Sequence, residues 1–226
     1  MVQAFEPPVY CFHEIVHNGH VVADLRAKGA VFVDRIADIP RGAVTVFSAH
    51  GVSRAVVGEA LGGGLAVIDA TCPLVAKVHA QAQRFARLGH AIVVIGHAGH
   101  EEVEGTIGSV DVPVHLISTV DDVARLEIPP DQPVAYVTQT TLSLDDTREV
   151  IAALRARYPG VTGPEVDDIC YATQNRQVAV RLMARQVDVL LVVGAVMLVT
   201  AAVGFCPLYR VFGMSTCPMP DAASRR

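Results

Sequence analysis

The sequence lacks the basic character of a nucleic-acid-binding protein. Lys and Arg total 18 against 23 Asp and Glu, which gives a formal net charge of −5, and no run of basic residues or alternation of basic with aromatic residues occurs. Because affinity for nucleic acid depends on cationic contacts to phosphates, we expect no nucleic acid among the partners of this chain.

Charged residues of either sign are scarce. They make up 18% of the 226 residues, whereas hydrophobic residues make up 51% and the mean hydropathy is +0.39. A chain of this length can bury one large or two small cores, so we do not expect extensive disorder. The hydrophobic excess indicates one segment outside the ordinary globular pattern, and that segment lies near the C-terminus.

A secretory leader is not recognisable either. The first ten residues contain no basic segment followed by an apolar stretch, so we expect a cytoplasmic protein. The cysteines are odd in number and, apart from the last two, widely spaced, which argues against a disulfide framework and favours metal ligation or nucleophilic chemistry. They are Cys11, Cys72, Cys170, Cys206 and Cys217.

The usual nucleotide-binding fingerprints are missing. No Gly-x-x-x-x-Gly-Lys and no Gly-x-Gly-x-x-Gly follows a strand-like run, so ordinary nucleotide binding is not indicated. The triplet Gly62–Gly64 is interpreted as a turn before the next strand.

What the sequence does contain is an alternation of two patterns. Short, nearly all-apolar runs are separated by segments with apolar residues at i, i+3 and i+4, and this alternation of strands with helices predicts parallel α/β layers. The predicted strands are Val31–Asp34, Ala43–Ser48, Leu65–Asp69, Ala91–Gly96, Val114–Ser118, Val134–Gln139 and Val189–Gly194, and the predicted helices are Ala76–Leu88, Leu144–Tyr158 and Asn175–Gln186.

Polar residues follow the predicted strands, where α/β sheets collect their chemistry. Histidines, hydroxyls and two cysteines converge there, and helix N-termini predicted at Ser53, Pro73 and Thr141 add oriented N–H groups. Such an edge suits an anionic ligand, for example a phosphate or diphosphate. Cys72 and Cys170 each lie at a strand-to-helix junction, where the helix dipole favours the thiolate that a metal or an iron–sulfur cluster needs. A buried structural cysteine is the competing interpretation for each.

Six motifs, in order along the chain, closely resemble those of the LytB-type 4-hydroxy-3-methylbut-2-enyl diphosphate reductases, the family of terminal enzymes of the non-mevalonate isoprenoid pathway. The resemblance runs from about Pro8 to Gly194. The motifs are His13–Asn18, Phe47–Ser53, Asp69–Pro73, Gly96–His100, Thr138–Thr141 and Asp168–Thr173.

The resemblance implies a three-lobed α/β fold around a 4Fe–4S cluster that three cysteines hold and whose remaining iron takes the substrate hydroxyl. In this family two electrons from ferredoxin or flavodoxin, together with protons, remove the hydroxyl of an allylic diphosphate. The products are isopentenyl and dimethylallyl diphosphate.

The resemblance also implies roles for individual residues. Cys72 and Cys170 are expected to be two of the three cluster ligands, and Glu102 matches the acid that protonates the departing water, which is general acid catalysis. Glu101 and Glu104 are expected to be solvated helix charges, and His90 and His97 to be structural or solvent-facing. The expected substrate and diphosphate contacts are His17, His50, His100 and Thr140.

Two family features do not appear in the sequence. A Gly-Phe-Cys loop that supplies the third ligand belongs upstream of Tyr10, and Cys11, on an expected strand, is not expected to replace it. After Gly194 the family continues with an Asn- and Ser-rich loop and completes a third lobe, which we therefore predict to be truncated here. The Gly204–Cys206 segment echoes the missing motif, but Pro207 and its apolar neighbours argue against a substitute ligand.

The apolar segment Val189–Tyr209 has no charge between Asp188 and Arg210 and is long enough to be a transmembrane candidate, although its first six residues fit a strand of the family better. The Cys-Pro-Leu-Tyr pattern at the end of this segment is similar to a small bacterial inner-membrane domain. We predict a first lobe at 1–72, a second at 73–168, the start of a third at 169–194 and an unrelated tail at 195–226.

Two alternatives to the reductase stay open: a truncated, non-catalytic relative that binds a diphosphate, and an interaction protein attached to the membrane through its tail.

Overall fold

The computed structural model describes residues 4–15, 18–164 and 168–187. The chain divides into two compact units, Met1–Gln174 and Asn175–Arg226, and both β-sheets described below belong to the first. The elements, in chain order, are β1 Val9–Phe12, α1 Gly19–Ala27, β2 Ala30–Val33, a 3-10 turn Ile36–Asp38, β3 Val44–Phe47, α2 Arg54–Gly62, β4 Ala66–Asp69, α3 Pro73–Arg87, β5 Ala91–Ile95, α4 Glu101–Ile107, β6 Val114–Ile117, α5 Val120–Arg125, β7 Val134–Thr138, α6 Leu144–Arg157 and α7 Tyr171–Ala184.

The first sheet has four strands in the order β2-β1-β3-β4, and every pairing in it is parallel. Phe12 and Phe47, neighbours on β1 and β3, pack edge to face, with ring centroids 6.4 Å apart. They contribute to a core that α2 and the 3-10 turn help to cover. Parallel strands need crossover connections, and α1, α2 and the 3-10 turn supply them here.

The second sheet has three parallel strands in the order β6-β5-β7. All five residues of β5 and all five of β7 are buried, because helices cover both faces of the sheet. A strand buried on both faces reads as a continuous apolar run rather than an alternating one. This is why Ala91–Ile95 was recognisable from its sequence alone.

Most helices begin where the sequence offers a capping side chain. Asn18 accepts backbone N–H bonds at the start of α1, and the Ser53 hydroxyl accepts one at the start of α2. Pro73 occupies the first position of α3, where its missing N–H costs no hydrogen bond. α6 begins at Leu144, as the predicted helix Leu144–Tyr158 has it. The separate placement of a helix N-terminus at Thr141 is wrong, because the Ser143 hydroxyl is the group that accepts from the Asp146 N–H.

The prediction of parallel α/β layers is confirmed, and six predicted strands are present within one or two residues of their expected ends. The strand predicted at Val189–Gly194 and the apolar segment Val189–Tyr209 lie outside the described residues. Within the described part of the chain, no helix is both long and apolar enough to cross a membrane. The lobe boundaries stay a prediction.

Two glycines allow the two sheets to approach each other beside the loop that follows β3. A Cβ atom at Gly105, on α4, would lie 3.2 Å from the backbone carbon and oxygen of Gly51, which itself has a φ of +75°. Nearby, the Arg54 N–H donates to the Gly108 carbonyl oxygen at 3.0 Å. The close backbone contact therefore fixes α4 against the loop at 48–53.

Replacing Gly105 with alanine is expected to lower the free energy of unfolding by about 1–3 kcal/mol, because the backbone around Gly51 has to move to admit a methyl group. Gly58 is a matched control, since it lies inside α2, is exposed and has no atom near the position of a Cβ. There alanine is expected to raise stability by up to about 1 kcal/mol. Urea unfolding of both variants measures the difference, and a Gly105→Ala protein as stable as Gly58→Ala would contradict the enforced contact.

Candidate functional site

The site lies at the carboxyl ends of β3, β5 and β7, where three loops meet. The loop after β3 carries His50, the loop after β5 carries His100 and leads into α4, and the residues after β7 include Thr140. Hydrogen bonds across 38 and 51 residues of sequence connect these loops. The structure thus brings together His50, His100, Glu102 and Thr140, four of the residues that the sequence singled out.

Glu102 and Thr140 form a buried pair. Glu102 is 1% exposed. One of its carboxyl oxygens accepts a hydrogen bond from the Thr140 N–H at 2.6 Å, and the other accepts one from the Thr140 hydroxyl at 3.0 Å. Burial raises the pKa of Glu102, and the two hydrogen bonds from Thr140 offset part of that rise. The Glu102 carboxyl is therefore a weaker acid than an exposed glutamate.

His100 caps the N-terminus of α4. Its Nδ1 accepts a hydrogen bond from the Glu102 N–H at 3.2 Å, so the ring carries its proton on Nε2. The same contact fixes the first turn of α4 and with it the position of the Glu102 carboxyl. The rings of His100 and His50 meet edge to face, with centroids 5.7 Å apart.

Glu101 corrects an expectation from the sequence. It was expected to be a solvated helix charge, but its Oε2 lies 2.9 Å from His50 Nδ1, and the two side chains are only 25% and 17% exposed. The Ser48 hydroxyl lies near the same ring nitrogen at 3.4 Å. Glu104, three residues further along α4, is exposed as expected.

Gln139 is a site residue that the sequence did not single out. It is buried, its Oε1 accepts from the His97 N–H at 3.0 Å, and its Nε2 donates to the Thr141 hydroxyl at 3.0 Å. The Gln139 amide therefore ties the loop after β5 to the residues after β7. The sequence could have indicated this role, because Gln139 stands between two threonines at the end of an apolar strand. A buried amide at such a position needs hydrogen-bond partners.

Cys72 and Cys170 are both partly exposed free thiols, and each is anchored to a loop of the site. The Cys72 N–H donates to the Ala49 carbonyl oxygen at 3.0 Å, next to His50, and the Cys170 N–H donates to the Thr140 carbonyl oxygen at 2.7 Å. Cys11 differs, because it lies in the core of the first sheet and burial raises its pKa. Only Cys72 and Cys170, among the described cysteines, are tied to this edge.

An ion pair joins the segments that carry these two cysteines. Lys77, on α3 shortly after Cys72, places its Nζ 2.6 Å from Asp168 Oδ1, two residues before Cys170. The Asp168 side chain is fully buried, whereas Lys77 is half exposed. A buried carboxylate needs such a partner, so the pair holds the start of α3 and the segment before α7 together.

His17, one of the expected diphosphate contacts, lies outside the described residues. Within the described ranges, no group of three or more His, Cys, Asp or Glu side chains is arranged to hold a metal ion. The described cysteines of the site supply two thiols, fewer than the thiolates that a 4Fe–4S cluster takes from a protein. The described part of the chain therefore does not form a complete ligand set by itself.

Known proteins resemble this chain over most of its length. A 4-hydroxy-3-methylbut-2-enyl diphosphate reductase of Zymomonas mobilis is 61% identical over 188 residues, which are 83% of this chain and 55% of that protein. The solved structure of the E-1-hydroxy-2-methyl-but-2-enyl-4-diphosphate reductase from Plasmodium falciparum matches with a TM-score of 0.79 and 39% identity, over 82% of this chain and 58% of that one. A Bradyrhizobium diazoefficiens reductase is 57% identical over 194 residues, 86% of this chain and 63% of that protein. The chain thus spans between about half and two thirds of the length of these relatives.

Two family models match the chain. The tail resembles the transmembrane domain of YgaP-like inner membrane proteins over residues 177–220, which confirms the similarity seen in its Cys-Pro-Leu-Tyr pattern. The model described as LytB protein matches residues 1–197, so that the chain belongs to the LytB family.

Proposed function

We propose that this chain is an iron–sulfur reductase of the LytB type that acts on 4-hydroxy-3-methylbut-2-enyl diphosphate in the non-mevalonate pathway. The observation that carries the proposal is the buried Glu102–Thr140 pair beside His50 and His100, because it combines a carboxyl whose pKa is raised by burial with groups that bind an anion. The named relatives at 57–61% identity support the same reaction. The overall change adds two electrons and two protons, breaks the allylic C–O bond and releases water.

The imidazoles and hydroxyls of the site suit the diphosphate end of such a substrate. His100 offers an Nε2–H donor, because its Nδ1 is occupied by the N-cap hydrogen bond. His50, Thr140 and His17 complete the proposed set of contacts to the substrate. Neutral or singly charged donors bind a diphosphate without the lysine-rich loop of nucleotide-binding proteins.

Glu102 is the proposed proton donor. Departure of the allylic oxygen as hydroxide is unfavourable, so a carboxylic acid at hydrogen-bond distance from that oxygen lowers the barrier by protonating it as the bond breaks. Burial raises the pKa of Glu102, which makes its protonated form more accessible than that of an exposed glutamate, and Thr140 holds both carboxyl oxygens in place. Thr140 thereby orients the acid as well as contacting the substrate.

Cys72 and Cys170 are the proposed cluster ligands on the described part of the chain. A 4Fe–4S cluster, when bound, supplies the two electrons, and a ferredoxin or flavodoxin is the proposed donor. The backbone bonds to Ala49 and Thr140 and the Lys77–Asp168 pair keep the two thiols at the edge that holds the acid.

The similarity of residues 177–220 to a transmembrane domain supports a membrane contact through the tail of an otherwise cytoplasmic protein.

A non-catalytic relative that binds the diphosphate is the second candidate function. It is favoured by the position of Cys11, which lies in the core of the first sheet and leaves Cys72 and Cys170 as the two described thiols at the site. The anion-binding and acid groups are the same in both candidates. They differ in whether a cluster assembles and electrons reach the substrate.

Cluster content and turnover test the proposed function. After anaerobic reconstitution, the full chain is expected to hold iron and acid-labile sulfide and to convert the allylic diphosphate with a reduced ferredoxin, whereas Cys72→Ser and Cys170→Ser are expected to lose both. Cys11→Ala is the matched control and keeps the cluster, because Cys11 lies in the core. Iron and sulfide at background level in the unmodified chain, together with intact diphosphate binding, would favour the second candidate.

Replacing Glu102 with glutamine is expected to reduce turnover by about 10²–10⁴-fold, the usual contribution of a positioned general acid. The amide preserves the shape of the side chain, accepts from the Thr140 N–H and donates to the Thr140 hydroxyl, so substrate affinity should change little. Single-turnover rates and equilibrium binding separate the two effects. A variant with wild-type turnover would remove Glu102 from the role of proton donor.

The same substitution has a distinct effect on stability. Because burial raises the pKa of Glu102, the folded protein binds this proton more tightly than the unfolded chain, and stability falls as pH rises from the ordinary range of Glu through the folded pKa. Glu102→Gln removes that dependence, so its free energy of unfolding should exceed that of the wild type at the neutral end. Urea unfolding from about pH 4 to about pH 8 measures it, with Glu104→Gln as the exposed control that should run parallel to the wild type.

A further inference from the structure

The contact between Glu101 and His50 has no role in the reaction as described above. Its two atoms, Oε2 and Nδ1, lie 2.9 Å apart although the residues are 51 positions apart in sequence, and both side chains are largely shielded from solvent. The electrostatic interaction of a carboxylate with an imidazole that is shielded in this way is less screened than one on an exposed surface. The contact with Glu101 also restricts the orientation of the His50 ring, because the Glu101 carboxylate is nearer to Nδ1 than the Ser48 hydroxyl, which lies 3.4 Å away.

The backbone holds the two partners at this distance. Gly105 on α4 packs against Gly51, the residue that follows His50, and the Arg54 N–H donates to the Gly108 carbonyl oxygen. Arg54 and Asp111 form an additional ion pair between the same two segments. These contacts fix the first turn of α4 against the loop that carries His50. That placement brings the Glu101 carboxylate to the His50 imidazole.

The two histidines of the site carry a proton on different ring nitrogens. His100 accepts a hydrogen bond at Nδ1 and so carries its proton on Nε2, whereas His50 faces a carboxylate at Nδ1 and so carries a proton there. With Nδ1 engaged by Glu101, Nε2 is the ring nitrogen through which His50 would contact a diphosphate oxygen. A neutral His50 would then present a lone pair to an anion, which is repulsive, whereas a doubly protonated ring donates to both neighbours.

We propose that Glu101 is a positioning residue that holds His50 as a doubly protonated imidazolium in the diphosphate complex, with Nδ1–H donating to Glu101 and Nε2–H to the ligand. The inference rests on the proposed function, since it requires that His50 contacts the diphosphate. Two anions on opposite sides of one ring favour its charged form, and charge-assisted hydrogen bonds are about twice as strong as neutral ones. Glu101 thus acts through His50 and does not touch the substrate.

Glu101→Gln tests the proposal because glutamine keeps an acceptor for the Nδ1–H but removes the charge. We expect its affinity for inorganic diphosphate, measured by titration calorimetry on the full chain, to fall by about 10-fold. In turnover assays the loss should appear mainly in KM rather than kcat, because the reacting acid Glu102 is unchanged. Glu104→Gln makes the same change of charge on an exposed position of the same helix and should leave both values within about 2-fold of the wild type.

Histidine ring ¹⁵N spectra of the diphosphate complex report the protonation of the His50 nitrogens directly. A purely structural role of Glu101 would leave that protonation unchanged. The wild type should show both His50 nitrogens protonated, with His50→Asn identifying the signal, and Glu101→Gln should show a neutral ring. A neutral ring in the wild-type complex, or an unchanged affinity in Glu101→Gln, would overturn the inference and leave the proposed function intact. Absence of diphosphate binding by the wild type would overturn both.

Discussion

The burial of one carboxyl group organises the site. Glu102 is 1% exposed, and a carboxyl in such surroundings is tolerated only with hydrogen-bond partners or a proton. Thr140 supplies two partners from the end of a different strand, and its carbonyl oxygen in turn receives the Cys170 N–H. A single residue just after β7 thus positions both the buried carboxyl and one of the two thiols, so the proposed proton donor and a proposed cluster ligand depend on the same backbone.

The sequence was informative where local patterns and parallel topology decide the outcome. All-apolar runs such as Ala91–Ile95 predicted buried strands, and because parallel strands point the same way, the residues after them had to meet at one edge. That argument placed His50, His100 and Thr140 together before any distance was known. The periodic pattern predicted the start of α6 at Leu144 correctly, whereas the N-terminus placed at Thr141 was wrong, because Thr141 and Ser143 are both good capping residues and the choice between them depends on the tertiary course of the loop.

What the sequence could not provide were pairings between residues far apart in the chain. Nothing in the residues around Glu101 distinguishes a solvated carboxylate from one bonded to an imidazole 51 positions away, because its partner is set by the packing of Gly105 on Gly51. Lys77 and Asp168 are a similar case, 91 positions apart. Family resemblance gave their neighbours roles, but these two contacts follow only from how the two sheets and their loops approach each other.

The first turn of α4 shows how position alone gives identical side chains different chemistry. Three glutamates begin this helix, and each gains from the partial positive charge of its N-terminus. Glu104 faces solvent, where that gain is small and its charge is hydrated. Glu101 reaches His50, so its charge is matched by a ring that can carry a proton. Glu102 is buried, and there desolvation outweighs the Thr140 hydrogen bonds, so the pKa of this carboxyl is raised. One helical turn therefore supplies a carboxylate in contact with a histidine and, one residue later, the buried carboxyl that we propose as the proton donor.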